Sequence, residues 1–537
     1  MRIALVGAGW YGCHLALALK KAGHDVVLYE KNDRIFSQIS GEFGIRLHAG
    51  PHYPRSDPTR EECLRGLAEF KKRYPNLIIP HEYSIYALGT TDADGVPSKT
   101  GEERFRKVCA ESESCRFLDP DLLGYTNLIT AANIDEPSII LGDPLRNEFT
   151  KYLKEAGVEV VYNYDVQKIE NKGEEVFVGN GDSSRAFDKV INTTSYQSLV
   201  PDNEDFPFDL NVIYQPCLAL EYKDKTPGTK PFSFIVMDGW FPCLQPIWDG
   251  SPDRKYILTH GKWTIMGSYT NPKVAKDVLN MLDDEWVKNT IKPLSEHEMG
   301  RFWPGFSDRF EFVGWKGTVL AKIKTKNEFR SAVTYEKDNV IQIIPGKVSN
   351  IFGVEREVEA LLNKENVLMS KNYLYVRGGV LDHSSAEISD KPRPDDRTNT
   401  GNLQTLDELI SENYFASPFG SPLPSPSHAR ASETTLPSIT NLEVNHYFLL
   451  QCLATITATI ALLALAILAL PTIGIIATSI ISSAVVIGGS YNIYRLFSQP
   501  KQNPNELIED QSQEVEAVDT PFSQIIWPIL NYNYQIF

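Results

Sequence analysis

The sequence predicts an α/β protein: a Rossmann-like dinucleotide-binding domain, an antiparallel β-sheet layer over it, and a C-terminal α-helical membrane hairpin. Three observations carry this expectation. The first thirty residues, MRIALVGAGWYGCHLALALKKAGHDVVLYE, read as strand, glycine turn, helix, strand and acid. Residues 205–330 are a succession of short β-like runs rich in aromatics. Residues 448–489 are almost free of charge.

The apolar run Ile3 to Val6 predicts a buried strand. It breaks into Gly7-Ala8-Gly9-Trp10-Tyr11-Gly12, and an apolar-faced helix follows, with Leu15, Ala18, Leu19 and Ala22 on one side and Gly23 at its end. Val26 to Tyr29 predicts a second strand that delivers Glu30. In this arrangement Gly7 permits the tight turn and Gly9 lets the backbone approach a pyrophosphate. Gly12 lets the helix pack close to the sheet. The helix N-terminus presents free N–H groups and a partial positive charge to the phosphates. Glu30 lies 18 residues past Gly12, near the roughly 20 expected of an acid that accepts from a ribose hydroxyl. A carboxylate there repels a 2′-phosphate. NADP is disfavoured, which leaves FAD or NAD.

Length bounds the organisation. The chain has 537 residues, enough for two or three domains at roughly 150 each. A net charge of −16 argues against a nucleic-acid surface, which needs a clustered basic face. Seven cysteines are scattered with no C-x-x-C pair, so reduced thiols are expected rather than a disulfide frame or a zinc site. No metal is expected. Arg2 leads directly into the first strand, so no signal peptide is expected before it. The catalytic part is expected to face a cytosol.

Residues 1–380 read as continuously globular. The loop 40–56, SGEFGIRLHAGPHYPRS, is rich in Gly, His and Arg. Glu61 to Arg73 predicts a helix that ends before Pro75, and 92–101 a surface loop. Asp143-Pro144-Leu145 opens a helix through Lys154, with Gly157 past its end. VEVVYNYDVQKIE, 158–170, predicts two short strands, and FDKVINTT, 187–194, one more. The aromatic runs of 205–330 predict the antiparallel layer, interrupted by one helix from Asn271 to about Lys292. Residues 339–364 return to strand, glycine loop and helix.

Beyond 380 the composition changes. Residues 381–445 are rich in Ser, Pro and Asp and predict a disordered linker, with Leu403 to Phe415 as a transient helix within it. As one helix, 448–489 would be about twice as long as the hydrocarbon core is thick. Pro471 sits near its middle, so two spans, 448–470 and 473–489, within a hairpin at 446–497, fit better. The small residues Gly474, Ala477, Ser479, Ser482, Ser483 and Ala484 let helices approach closely in lipid. Arg495 and Lys501 follow the second span, with nothing basic at the turn, which favours both ends on the cytosolic side. A buried helical hairpin in a soluble domain is the alternative. The tail 498–537 is acidic, then aromatic.

The first 370 or so residues resemble the FAD-dependent D-amino-acid oxidase superfamily, which includes glycine oxidase-like and sarcosine oxidase-like enzymes. GAGWYG with Glu30 and Lys31 matches the pyrophosphate and ribose site. The loop 40–56 stands where the family's loop runs toward the flavin, which brings in Arg46 and His48. Asp143 to Gly157, then Tyr164 to Glu170, match its helix and V-x-x-I/L-E strand, and Val166 takes the adenine-contacting place. VINTTS, with Thr193 and Thr194, stands at the V-N-A-T-G-like strand end. It departs from that pattern in lacking the alanine-threonine-glycine ending. Gly346-Lys347-Val348-Ser349-Asn350 stands where a late glycine loop and helix N-terminus face the ring.

The resemblance implies FAD as cofactor, hydride transfer from a small amine, amino acid or hydroxy compound, and a β layer over the flavin. It implies an arginine that holds a substrate carboxylate, with Arg330 as first candidate and Arg46 as second. His48, His52 and Arg55 form a concentrated polar set, and His52 is a catalytic candidate. HAGPHY is also similar to the H-x-x-G-P-H loop of UDP-galactopyranose mutases, flavoenzymes that isomerise. A third alternative is a non-catalytic flavoprotein that the hairpin carries to a membrane, loosely similar to secreted effectors of intracellular bacteria. Its protein partner is left open.

Overall fold

The structure is a computed structural model. It describes residues 1–379 apart from 113, 196–197, 200–211, 227–229, 324–329 and 371. The expected linker, membrane hairpin and tail lie outside the described residues. Among the described residues no helix is long and apolar enough to cross a membrane.

An eight-stranded sheet forms the first layer. Its parallel part runs Val340–Ile344, Lys189–Asn192, Arg2–Val6, Asp25–Tyr29 and Glu159–Val161. Arg2–Val6 is central because it is apolar and buried from Ile3 onward, as a strand covered on both faces must be. Its two neighbours are the next strand in sequence on one side and a much later one on the other. That is a topological switch point, where such sheets open a crevice at the strand ends. The glycine turn sits there. The helices Trp10–Lys21, Gly142–Glu155 and Ile351–Asn363 supply apolar faces to the core with this sheet.

A second eight-stranded sheet forms the other layer, in the order Phe310–Ile323, Val212–Asp224, Lys255–His260, Pro242–Ile247, Phe232–Met237, Tyr83–Gly89, Leu128–Asn133 and Arg116–Leu118. It is antiparallel except where Phe232–Met237 runs parallel to Tyr83–Gly89. Three of its strands therefore come from 83–133, ahead of the 205–330 stretch in which the sequence placed the whole layer.

Two helices also depart from expectation. The one predicted from Glu61 begins at Asp57, because Pro58 fits the first turn, where its missing N–H costs nothing. The one predicted over 271–292 is broken. Pro272–Asn280 stops, Asp283 caps a new turn by accepting from the Trp286 N–H, and the chain continues helically to Phe302.

A small three-stranded sheet does most to place the site. Ile45–Arg46 pairs with Ser138–Ile139, which also pairs with Ile78–Ile79. This register brings the loop after Arg46 alongside the residues just before Ser138, among them Glu136.

Candidate active site

The glycine turn borders a cleft of about 360 Å³. Gly7, Ala8 and Gly9 line it from the turn, Glu30 and Lys31 from the second strand end, and Tyr164, Asp165 and Val166 from the next crossover. Thr193 and Thr194 line it from the neighbouring strand end. Gly7 has φ +101°, a conformation that L side chains rarely adopt. A Cβ on Gly12 would stand 1.9 Å from the Gly7 carbonyl oxygen and 2.8 Å from Thr193 Oγ1. The N-cap residue Gly9 has no side chain to offer the helix that starts at Trp10, and the Trp10 N–H meets Ser40 Oγ only at a long 3.4 Å, so this helix start can receive a ligand.

Glu30 is buried at this cleft. Its Oε2 accepts from the Ala8 N–H at 2.9 Å, and its Oε1 from the Asn32 N–H at 3.0 Å and Asn32 Nδ2 at 2.9 Å. The carboxylate is fixed in place, and Oε2 keeps capacity for one more donor. Thr193 does less for a ligand than the sequence suggested. Its hydroxyl donates to the Val6 and Gly7 carbonyls at 2.9 and 2.7 Å, so it ties down the turn.

Tyr11 leaves the turn for a second region. Its hydroxyl accepts from the Gly346 N–H at 3.1 Å and donates to the Lys347 carbonyl at 2.8 Å. Gly346 and Lys347 line a smaller cleft of about 90 Å³ together with Lys322, Arg330 and Ser331. Gly346 is required there, since a Cβ would stand 2.3 Å from the Ala332 nitrogen and 2.2 Å from Asn350 Oδ1. Burial, helped by the charges of Arg330 and Lys322, lowers the Lys347 ammonium to about 7.

The histidine loop adjoins this cleft. Lys347 Nζ sits 5.1 Å from the ring centroid of Tyr53, and that ring packs edge-on against His48 and His52. The two imidazoles stack, with centroids 4.6 Å apart. Burial first, then the cations around them, hold both well below the ordinary histidine range, so they are neutral near pH 7. His48 Nδ1 is 3.4 Å from Glu136 Oε1, which is close for electrostatics but outside hydrogen-bond geometry. His52 Nδ1 likewise lacks a hydrogen-bond partner among the described residues. Both imidazoles therefore have a ring nitrogen free to accept a hydrogen bond or a proton, and burial makes them weaker bases than an exposed histidine.

Glu136 was not legible as a functional residue. It is 0% exposed. It accepts from the Tyr86 hydroxyl at 2.7 Å and from the Ala49 N–H at 2.7 Å, and it pairs with Arg46 at 3.3 Å. In sequence it is one acid in NIDEPS with nothing to set it apart from Asp135. Only the pairing of Ile45–Arg46 with Ser138–Ile139 selects it. Glu136→Ala leaves the Arg46 charge buried and uncompensated, and is expected to lower unfolding stability by about 3–5 kcal/mol. Urea denaturation against Tyr86→Phe, with an expected cost of only about 1 kcal/mol, checks this.

The structure corrects several expected roles. Arg46 is no substrate fork. Its guanidinium is committed to Glu136, Gln245 at 3.0 Å, Tyr86 at 3.5 Å and Cys243 at 3.7 Å. Arg330 does line the second cleft, and its backbone N–H is anchored to Thr59 Oγ1 at 3.1 Å. Val348, Ser349 and Asn350 line neither cleft. They form a turn closed on itself, in which Asn350 Oδ1 accepts from the Lys347 N–H and Ser349 lies against Cys63. Trp10 points into an aromatic cluster with Phe36, Phe70, Tyr74 and Phe149. Arg55 leaves the histidines and binds Asp238, at 2.6 and 3.2 Å. Among the described residues no group of three or more His, Cys, Asp or Glu is placed to hold a metal ion.

Comparison with known proteins shows the family to which the chain belongs. Residues 2–310 match the family described as DAO, FAD dependent oxidoreductase. The chain belongs to this family of FAD-dependent oxidoreductases. The FAD-dependent monooxygenase kojA of Aspergillus flavus is 48% identical over 423 residues, covering 77% of this chain and 99% of the relative. The FAD-dependent monooxygenase FPY4 of Fusarium mangiferae is 26% identical over 371 residues, covering 68% of this chain and 92% of its own length. Among solved structures, glycine oxidase from Geobacillus kaustophilus superposes with a TM-score of 0.51 at 13% identity, over 73% of this chain and all of that one. NikD, an amino acid oxidase of nikkomycin biosynthesis, superposes with a TM-score of 0.51 at 14% identity, over 67% of this chain and 93% of that one. These two likenesses concern the fold. Family membership sets aside the isomerase and the non-catalytic alternatives.

The residues present fit FAD. The helix start without an N-cap side chain, the close-packed Gly7 and Gly12, and the fixed Glu30 carboxylate suit its diphosphate and ribose. Val166, 4% exposed at the cleft wall, suits adenine. In this oxidoreductase Tyr11, on the helix that begins at the dinucleotide cleft, hydrogen-bonds to Gly346 and Lys347 of the cationic cleft.

Proposed function

We propose that the protein oxidises a small hydroxy compound or amine that carries an anionic group, and that the cationic cleft binds that group. The observation that carries this is the convergence of Lys322, Arg330 and Lys347 on one small cleft beside two neutral histidines. Lys322 and Arg330, joined by Lys347 when it is protonated, repel one another across this cleft, and an anion relieves the repulsion. Arg330 suits a planar carboxylate or enolate, and Lys347 serves as a compact charge beside it.

When bound, the flavin accepts a hydride, or once reduced delivers electrons to oxygen. The chain's own residues do the rest. Arg330 and Lys347 orient the substrate. His52, and His48 behind its Glu136 contact, take the proton from the substrate hydroxyl or ammonium. Glu136 keeps Arg46 and Tyr86 in place beside the imidazoles, which burial first and the nearby cations second hold neutral.

A second reading has its own support. The relatives that are 48% identical are named monooxygenases, and in that case the same cleft would bind an acidic hydroxy compound as its anion. One experiment separates the two. The FAD-loaded protein is screened against hydroxy acids, amino acids and acidic hydroxy compounds, first without oxygen and then with labelled oxygen. Anaerobic bleaching of the flavin band by substrate alone supports hydride transfer. Label in the product supports monooxygenation. No flavin spectrum, or no response to any anionic compound, would sink the proposal.

We also propose that 448–489 tether the enzyme to a bilayer with both ends cytosolic. The support is the charge-free sequence, the central Pro471 and the basic residues after it. Residues 441–500 fused to a fluorescent protein should concentrate on membranes. A diffuse signal would refute this.

A further inference from the structure

Tyr11 has its two ends in different places. It is the second residue of the helix Trp10–Lys21, after the N-cap Gly9. Its backbone therefore belongs to the first helical turn, whose N–H groups have no carbonyl four residues back to bond. That turn follows directly on Gly7, Ala8 and Gly9, which line the dinucleotide cleft. It cannot shift alone, because Gly12 sits on the Gly7 carbonyl with no room for a Cβ. The phenol ring is buried and runs to the late glycine loop. There the hydroxyl accepts from the Gly346 N–H at 3.1 Å and donates to the Lys347 carbonyl at 2.8 Å.

These two bonds bear on Lys347 in particular. Its carbonyl is held by Tyr11, and its N–H donates to Asn350 Oδ1. Gly346, just before it, is pressed against the Ser331–Ala332 backbone, where a Cβ would stand 2.5 Å from the Ser331 carbonyl carbon. The backbone of Lys347 is thus fixed from both sides, and this sets where its side chain starts on the way to the Tyr53 ring. Lys347 and Gly346 line the cationic cleft with Lys322 and Arg330.

We propose that Tyr11 is a positioning residue that transmits FAD binding to the loop Gly346-Lys347, so that the cationic cleft takes its anion more tightly once the cofactor is in place. The second half rests on the reading that this cleft binds an anionic group. Phosphates on the first-turn N–H groups hold the helix start. The Tyr11 hydroxyl then holds Gly346 and Lys347. Because linkage is reciprocal, the anion tightens FAD by the factor by which FAD tightens the anion. Removal of the hydroxyl breaks this coupling and leaves the backbone groups of the glycine turn as they are.

Two measurements on the full chain test this without reference to turnover. Protein freed of FAD is titrated with FAD, with and without a simple monocarboxylate. In the wild type the carboxylate should tighten FAD about five- to tenfold. In Tyr11→Phe, which keeps the buried ring, FAD alone should bind nearly as in the wild type, and the carboxylate should no longer tighten it. Amide hydrogen exchange gives the second readout. FAD should slow exchange of the Gly346 and Lys347 N–H groups in the wild type and leave it unchanged in Tyr11→Phe. Coupling that survives in Tyr11→Phe would overturn the proposal, and so would a wild type in which FAD protects neither N–H group. A carboxylate that perturbs the flavin spectrum yet leaves FAD affinity unchanged would overturn it as well. No carboxylate response at all, with FAD protection present in the wild type and lost in Tyr11→Phe, would uphold the Tyr11 link and defeat the anionic reading of the cleft instead.

Discussion

Gly12→Ala should abolish measurable FAD binding. The added Cβ would stand 1.9 Å from the Gly7 carbonyl oxygen and 3.1 Å from the Gly7 carbonyl carbon. These are backbone atoms, and the same carbonyl accepts from Thr193 Oγ1 at 2.7 Å, so the turn has nowhere to retreat. Either the helix Trp10–Lys21 moves off the sheet or the Gly7–Gly9 backbone rotates. In both cases the N–H groups and helix dipole no longer converge on the phosphates. Overpacking of this kind costs about 3 kcal/mol, so the dissociation constant for FAD should rise at least ~100-fold. Fluorescence quenching on titration with the apoprotein measures it. Gly9→Ala is the control. Its Cβ meets only Ser40 Oγ, at 3.0 Å, a side chain that can turn away. The apo fold should survive it, and any weakening should come from the approach of the phosphates.

Lys347→Met should lower kcat/KM for an anionic substrate about 100-fold and remove a pH dependence that the wild type shows. Burial and the charges of Arg330 and Lys322 bring the Lys347 ammonium down to about 7. Its charge is therefore present below about pH 7 and lost as pH rises through that value. Binding of an anion should follow the same course. Lys347→Arg keeps its charge throughout and should show no such fall. Stability runs the other way. Between about 7 and the ordinary lysine range the unfolded chain binds more protons at this residue than the folded one, so folding is favoured as pH rises across that window. An anion in the cleft opposes this trend by favouring the charged form. Thermal melts with and without a simple carboxylate, taken across the window, should therefore diverge at the low-pH side.

How much of this was legible in the sequence depended on distance along the chain. GAGWYG and Glu30 could be read because the strand, turn, helix and acid are consecutive, and periodicity marks each. Gly346-Lys347 could be read for the same reason. Arg46 could not be assigned correctly, because its role is set by Glu136 and Gln245, partners 90 and 199 residues away. Glu136 was missed altogether, since a buried carboxylate looks like a surface one until its cation is known. The break at Leu282-Asp283 had a local signal, an aspartate three residues before Trp286, which the apolar pattern on either side masked. The recruitment of Tyr83–Gly89 to the antiparallel layer had none. Parallel pairing with Phe232–Met237 is a tertiary choice.

The central claim is that the protein holds FAD at the glycine turn and binds an anionic group in a cationic cleft whose charge Lys347 sets. The most direct measurement is a titration of the FAD-loaded protein with a simple monocarboxylate, followed by the change in its visible flavin spectrum, at about pH 6 and about pH 9. A spectral perturbation that is at least about tenfold tighter at the lower pH, and absent in Lys347→Met, is the predicted result. Equal affinity at the two pH values, or an unaltered response in Lys347→Met, would contradict the account.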